Sequence, residues 1–208
     1  WLWDNPKFAR EYTEMGYRSS VTAGQKLARE FDFSPYSLLL DLGGGSGVYS
    51  IMAAQAYPNL KAIVFDHPNV CRVADDFIAM AGLQERIRTM HGDYVKDDYP
   101  AGADVILICG TLEPYGTDVH RQVLDKAFRV LRPGGALILI INMLEEDRSG
   151  PLEAVFSNLQ QVANRESRGR IHTPQELAAL LRGTGFVDPV FGDFVPGTYR
   201  RVYARKPV

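Results

Sequence analysis

The chain has 208 residues, a formal net charge of -2 and 46% apolar residues, enough for one domain with a core of its own. Lys and Arg are scattered among acids without a basic run, so the electrostatic footprint of a nucleic-acid binder is missing, and the greasiest segment, Ala136 to Ile141, is strand-sized, too short for a helical membrane span. Only Cys71 and Cys109 are present, far apart and without metal-ligand spacing, which fits a reducing cytoplasm better than a disulfide framework.

The first residue is Trp1 and no signal-peptide pattern follows, so a fragment, a processed form and an excised domain all stay open. Phe8, Tyr12 and Met15, then Val21, Leu27, Ala28 and Phe31, recur at helical spacing and predict helix from Trp1 to Phe33, broken in two at Gly16. Leu38 to Leu40 lead into Asp41, after which Gly43, Gly44, Gly45 and Gly47 crowd a short turn before Val48, Tyr49 and Ile51 open a helical pattern. This reads as strand, tight turn and helix start. Such a turn needs glycine because the backbone must visit positive φ and let a ligand lie against it, and the amides opening the next helix favour a carboxylate or a phosphate. The helix from Val48 to Tyr57 stops at Pro58, and a strand from Lys61 to Asp66 completes a βαβ unit. Pro68 opens a helix to Met80 that Gly82 closes, and Arg86 to His91 is a third strand running into Gly92 and Asp93. Asp104 to Cys109 is the fourth strand, Asp118 to Leu131 a helix closed by Pro133, Gly134 and Gly135, and Ala136 to Asn142 the fifth strand. After a solvated loop from Glu145 to Gly150 come helices at Pro151 to Asn164 and Pro174 to Leu181. Short strands at Val187 to Phe191 and Thr198 to Ala204 then form a hairpin on the sheet edge. The unbroken apolar runs are those of doubly buried parallel strands, and one doubly wound α/β domain with helices on both faces follows.

In such sheets ligands bind beyond the carboxyl ends of the strands, so residues at those ends carry most of the information. A dinucleotide loop would place its third glycine three residues after the second, but that position is Val48. The spacing here, Asp-x-Gly-x-Gly-x-Gly from Asp41 to Gly47, resembles the first motif of S-adenosylmethionine-dependent methyltransferases; a glycine-rich turn without ligand is the plain alternative. Asp66 ends the second strand, where a carboxylate accepts ribose hydroxyls or simply caps the next helix. Asp93 ends the third strand, where an acid takes an adenine amino group while Tyr94 packs on the ring, or merely holds a turn.

DLGGGSG, VFDHP, GDYV, LRPGG, RIHTPQEL and the late GF occur in that order across nearly the whole chain. This set resembles the small-molecule O-methyltransferases, the family of caffeate, flavonoid, hydroxyindole and bacterial antibiotic-pathway enzymes. The resemblance implies a seven-stranded class I methyltransferase sheet, Rossmann-like and mostly parallel, with an antiparallel last strand. It implies S-adenosylmethionine as cofactor, with S-adenosylhomocysteine as product, held by Gly43, Gly45, Asp66, Asp93 and Tyr94. The wider candidate set adds Asp41, Gly44, Gly47, His67, Cys109 and Gly110. EMGYRSS is similar to a family segment that points to Met15 at the acceptor, with Tyr12 beside it, and to Ser19 at the methionyl part of the cofactor.

Two departures from the family stand out. Its members carry a larger helical N-terminal dimerisation domain, whereas here residues 1–35 form only a helical lead-in covering the pocket, ahead of a cofactor-binding domain at 36–208. The acceptor pocket is therefore open or completed by another chain. Plant-type members also carry a Leu-His-Asp-Trp run after the fourth strand, whose histidine removes the phenolic proton; here the run is Leu112, Glu113, Pro114, Tyr115.

Methyl transfer at a sulfonium depends on positioning and exclusion of water, and needs a base only if the acceptor is protonated. Glu113 is the candidate catalytic residue, as general base with a pKa raised by burial, as acceptor anchor or as metal ligand; a solvated loop carboxylate is the bland reading. His120 reads as a surface residue, His67 and His91 as packing or hydrogen-bonding residues beside the cofactor acids, and His172 as a helix-start residue. Asn142 and Met143, beyond the fifth strand, complete the acceptor set, and Phe156, Leu159 and Val162 line an aromatic pocket or belong to the core. No metal is expected, because the Asp-Asn pair of catechol-type enzymes is absent. The leading expectation is transfer of a methyl group to a hydroxyl of a small aromatic or polyketide-like metabolite in cytoplasmic secondary metabolism. Its alternatives are carbon or nitrogen methylation, or a cofactor-binding module without transfer activity in a larger assembly. Neither nucleic acid nor membrane is an expected partner; a homodimer or a separate N-terminal domain is.

Overall fold

Strand and helix alternate through the chain in the computed structural model, which describes residues 2–163 and 168–208; Trp1, Asn164 and the Val162 side chain lie outside the described residues. Contacts divide the chain into two compact units, residues 1–98 with 103–107, and residues 99–102 with 108–208.

The first unit opens with a single 3-10 turn, Leu2–Asp4, and a long helix α1, Pro6–Glu30. Asn5 starts α1 by accepting the amides of Lys7 and Phe8 on its side-chain oxygen, and Pro6 at the first turn forgoes a donor that would be unpaired there. The expected break at Gly16 is absent. A Cβ at Gly16 would meet nothing within 4 Å, so the glycine costs the helix only intrinsic propensity, and packing of the opposite face offsets it. That face buries Ala9, Thr13, Gly24, Leu27 and Ala28. Gly24 is the tightly packed glycine of this face, since a Cβ there would lie 3.0 Å from Met52 Cγ.

Strands β1 (Leu38–Leu42), β2 (Lys61–Asp66) and β3 (Ile87–His91) alternate with helices α2 (Val48–Ala56) and α3 (Pro68–Met80), close to the expected bounds. They pair in parallel, with Leu42 opposite Phe65 and Asp66 opposite His91. Consecutive burial of Leu39 to Leu42 and of Ala62 to Phe65 means that both faces of these strands are covered, the reason they read as unbroken apolar runs. Tyr17 stacks on Phe77 at 3.9 Å and Arg10 bonds Asp76 at 2.8 Å, fastening α1 to α3.

The second unit takes in the end of β4 (Ala103–Cys109), α4 (Thr117–Val130), β5 (Leu131–Ile141), α5 (Leu152–Ala163), α6 (Pro174–Gly183), β6 (Val187–Val195) and β7 (Tyr199–Arg205). Strand β5 begins at Leu131, earlier than expected, although the ladder to β7 starts at Ala136. The two last strands are longer than the sequence predicts and form an antiparallel hairpin with β7 against β5 and β6 at the edge. The seven strands run β3-β2-β1-β4-β5-β7-β6, mostly parallel with an antiparallel end, the α/β architecture expected. Strands β2 and β3 lie to one side of β1 and β4 and β5 to the other, so the turn after β1 sits where the order reverses.

Candidate functional site

In the first unit the glycine turn is built as its spacing requires. Gly43, Gly45 and Gly47 have φ of 65, 57 and 71°, a region that only glycine enters without strain. A Cβ at Gly44 would lie 2.8 Å from Asp41 Cγ and 2.9 Å from Val64 Cγ1, whereas one at Gly45 would meet nothing within 4 Å. The turn is thus closed underneath at Gly44 and open at Gly45, a cradle with one free side. Asp41 lies beneath it, 1% exposed, and its Oδ2 accepts the Ser50 hydroxyl at 2.8 Å. Burial pushes the Asp41 carboxyl up to about 7, with Ser50 opposing the shift and the Asp66 charge adding to it. In this position Asp41 braces the loop from below.

Asp66 reaches back from β2 to the same loop. Its Oδ2 accepts the Gly45 amide at 2.8 Å and its Oδ1 the His67 amide at 2.6 Å. Burial raises its pKa, and those two amides with His67 oppose the rise. A carboxylate has about four acceptor positions, so roughly two stay open for hydroxyl donors beside the cradle. His67 starts α3, its Nδ1 accepting the Asn69 amide at 3.3 Å, while Nε2 stands 3.4 Å from Asp4 Oδ1. Asp93, beyond β3, holds a local turn: Oδ1 accepts the Val95 amide at 2.9 Å and Oδ2 binds Lys96 Nζ at 2.7 Å. Partial burial pushes its carboxyl up, but Lys96 and Val95 outweigh that and hold it below the usual range. Tyr94 follows it, half-buried. On α1, Tyr12, Met15 and Ser19 are exposed; Met15 and Ser19 line an open hollow of about 540 Å³ with Glu11, Glu14 and Arg18, and Ser19 returns its hydroxyl proton to Gly16 O.

In the second unit Cys109 ends β4 half-buried, and Gly110 turns with φ of 60° while its amide bonds Ile140 O at 2.9 Å. Leu112 is buried, and Glu113 beside it is only 7% exposed, so the reading of Glu113 as a solvated loop carboxylate does not hold. Glu113 Oε1 accepts the Asn142 amide at 3.2 Å; Glu113 Oε2 and Asn142 Oδ1 are buried with no hydrogen-bond partner among the described residues. Native interiors rarely leave such atoms unpaired, and a buried orphan acceptor is a place for a donor. Burial raises the Glu113 pKa above 4.5, against hydrogen bonds from its own backbone, Asn142 and Leu112. Met143 is fully buried.

The segment at Arg168–Gly169 closes over this turn: a Cβ at Gly169 would collide with Glu113 O, and one at Gly116 would lie 3.2 Å from Arg168 O. Neither glycine stands out in the sequence. His120 is not on the surface. It is 1% exposed on the inner face of α4 and pairs with His172, itself 3% exposed. The signal for this was the helical period, since His120 shares a face with Val123, Leu124 and Ala127. Phe156 and Leu159 lie exposed on α5 rather than in the core, at 61% and 64%, beside Leu152 at 76%. Glu145 to Asp147 is an exposed loop, and among the described residues no group of three or more His, Cys, Asp or Glu gathers as a metal site.

The comparisons with known proteins bear on the family and the fold. The chain is 37% identical over 183 residues to acetylserotonin O-methyltransferase of Bos taurus, covering 88% of this chain and 52% of that protein. It is 30% identical over 190 residues to L-tyrosine C(3)-methyltransferase of Streptomyces lavendulae, covering 91% and 52%. The fold superposes on human N-acetylserotonin methyltransferase, solved in complex with S-adenosylmethionine, with a TM-score of 0.87 at 27% identity, over 100% of this chain and 58% of that one. The chain spans about half the length of these relatives. Residues 2–187 match the profile of the O-methyltransferase domain, and the chain belongs to that family.

Proposed function

We propose that this chain binds S-adenosylmethionine on the Gly43–Gly47 cradle and transfers a methyl group to a hydroxyl of a small aromatic or polyketide-like metabolite, with Glu113 as the catalytic residue. The observation that carries the reading is that Glu113 Oε2 and Asn142 Oδ1, on residues joined by the Asn142 amide, are both buried without a hydrogen-bond partner among the described residues, two acceptors in want of a donor.

The residues present fit the cofactor. The open side at Gly45 admits a ligand where any side chain would project, and the α2 amides favour its carboxylate. Asp66 keeps acceptor positions for ribose hydroxyls, and Asp93 with Tyr94 is assigned to the adenine. Gly44, Gly47 and Asp41 shape the loop; Ser19, His67, Cys109 and Gly110 complete the proposed contact set. Held there, S-adenosylmethionine would supply an electrophilic methyl carbon for the acceptor oxygen, with its sulfur as the leaving group that keeps the electron pair. Glu113 Oε2 accepts the hydroxyl proton and releases it to water afterwards. Its raised pKa brings it nearer to that of the group it deprotonates, which improves a carboxylate as a base. Asn142 anchors the acceptor, with Tyr12, Met15 and Met143 assigned to its apolar part.

Residues 1–35 are assigned as a helical lead-in to a cofactor-binding domain at 36–208, and a second copy or a separate helical domain completes the acceptor pocket. The half-length match to relatives and the exposed Leu152, Phe156 and Leu159 on α5 support that reading. No described helix is long and apolar enough to cross a membrane, and the two free cysteines support a place in the cytoplasm. The similarity to a tyrosine C(3)-methyltransferase favours carbon methylation of an aromatic ring as the second reading.

Calorimetric titration with S-adenosylmethionine and S-adenosylhomocysteine tests the cofactor, and NMR of the product formed with acetylserotonin or L-tyrosine tests the atom methylated. Both cofactors bind, Asp66→Ala weakens binding by about tenfold or more, and Glu113→Gln keeps binding while oxygen methylation falls by roughly 10²-fold. Absence of cofactor binding by the folded chain overturns the proposal, and methyl transfer unaffected by Glu113→Gln removes Glu113 from it.

A further inference from the structure

The two buried histidines have no part in the mechanism above, yet they are tied to the turn that carries Glu113. His120 Nε2 lies 2.7 Å from Leu112 O, and His120 Nδ1 lies 2.8 Å from His172 Nε2. A carbonyl oxygen only accepts, so His120 Nε2 carries a proton. Two ring nitrogens at 2.8 Å share one hydrogen, so the pair holds at most one positive charge. Leu112 O also accepts the Tyr115 amide at 2.9 Å, which fills both of its lone pairs. The residue after Leu112 is Glu113.

We propose that His172 and His120 form a neutral, one-directional hydrogen-bond chain, His172 Nε2–H to His120 Nδ1 and His120 Nε2–H to Leu112 O, that positions the buried Glu113 carboxyl. They are positioning residues; neither is assigned to acceptor or cofactor. The chain is braced at its outer end, where the His172 carbonyl accepts the Leu144 amide at 3.0 Å and the Arg170 amide bonds Tyr115 O at 3.1 Å. Gly169 lies so close to Glu113 O that a methyl group would collide with it. The same few residues thus hold the Leu112–Tyr115 turn from α4, from the segment before α6 and from the end of β5.

The charges facing the pair are Asp118 on α4, Glu176 on α6, whose Oε2 stands 3.8 Å from His172 Nδ1, and Arg148 and Arg170, both bonded to Glu176. Burial, then the neighbouring His120, push the His172 pKa down to about 4, and Glu176 opposes the shift. With its one proton on Nε2, the neutral His172 ring leaves Nδ1 a bare acceptor, and Nδ1 has no hydrogen-bond partner among the described residues. Loss of the His172 donor frees the His120 ring, releases Leu112 O and lets water reach Glu113, so the raised Glu113 pKa falls toward its ordinary value.

The inference rests on the reading of Glu113 given above, and its test needs no acceptor. Long-range ¹⁵N–¹H NMR of the histidine-labelled chain at pH 7 reads the two tautomers: both rings are neutral and protonated at Nε2. A cationic His120, or one protonated at Nδ1, overturns the proposal whatever the variants do. The Glu113 carboxyl is then titrated by ¹³C NMR, its resonance assigned by its loss in Glu113→Gln. His172→Gln keeps a donor toward His120 Nδ1 and leaves the Glu113 midpoint in place, whereas His172→Leu lowers it by about half a unit or more. An unchanged midpoint in a folded His172→Leu chain overturns the proposal. Failure of S-adenosylmethionine binding would sink the functional reading without touching the tautomers, so the two can fail separately.

Discussion

At the scale of single residues, two acids of the candidate site are kept where water is scarce. Glu113 and Asp41 are both buried, with pKa values raised chiefly by desolvation, but their surroundings differ. Asp41 has the Ser50 hydroxyl and serves the loop; Glu113 has backbone amides, that of Asn142 among them, on one side and an oxygen without a partner among the described residues on the other. The sign of the stability effect follows. Between the ordinary value of 3.8 and the native value of about 7, Asp41 holds a proton in the folded chain that it releases on unfolding. The folded state then binds more protons than the unfolded state, so stability falls as pH rises through that window. Asp41→Asn keeps an oxygen for Ser50 and removes the penalty. Its thermal midpoint should exceed that of the parent by about 10 °C at pH 8 and come close to it near pH 4, measured by calorimetry at both values. A parent stability flat between pH 4 and 8 would show that Asp41 ionises freely. The acids at the strand ends and Glu113 were legible in the sequence because motif spacing marks them. The closeness of Glu113 to Asn142 followed from their places after adjacent strands. His120 was missed because a single histidine on a helix start reads as polar surface, while its burial is set by what packs on α4.

At the scale of elements, proline and capping residues place most boundaries to within a residue or two. Pro6, Pro68 and Pro174 all stand at the first turn of their helices, and Thr173 with Glu176 forms a reciprocal capping box ahead of α6. Gly16 is the instructive exception, since local propensity argues for a break and tertiary packing removes it. Because a Cβ at Gly16 meets nothing, Gly16→Ala should stabilise the chain by about 1 kcal/mol and raise the melting temperature by roughly 2–4 °C. A melting temperature lowered by this substitution would mean that the solvent face of α1 is not free. The exposed face of α5 gave no such local clue: Phe156 and Leu159 have the spacing of core residues, and periodicity alone does not distinguish a face covered by this chain from one it leaves open.

At the scale of the whole molecule, the proposed cofactor should couple to folding, since its cradle exists only when Gly45 and Asp66 are brought together from β1 and β2. S-adenosylhomocysteine at 100 times its dissociation constant should add about 2.7 kcal/mol, hence roughly 5–10 °C in the melting temperature. Asp66→Ala should lose most of that increment while melting close to the parent without ligand. An equal increment in Asp66→Ala would move the site away from the β2 end.

What the sequence determined by itself is the alternation of buried strand and helix, the glycine cradle with its acids, and the family, because apolar period, turn chemistry and motif order are local properties of the chain. Packing across the chain settles that α1 runs through Gly16, that Glu113 is dehydrated, that Gly169 presses on its carbonyl and that His120 bonds His172. Each of those depends on residues far apart in the chain, whose packing sets the space and solvation of a group, and no local pattern encodes that.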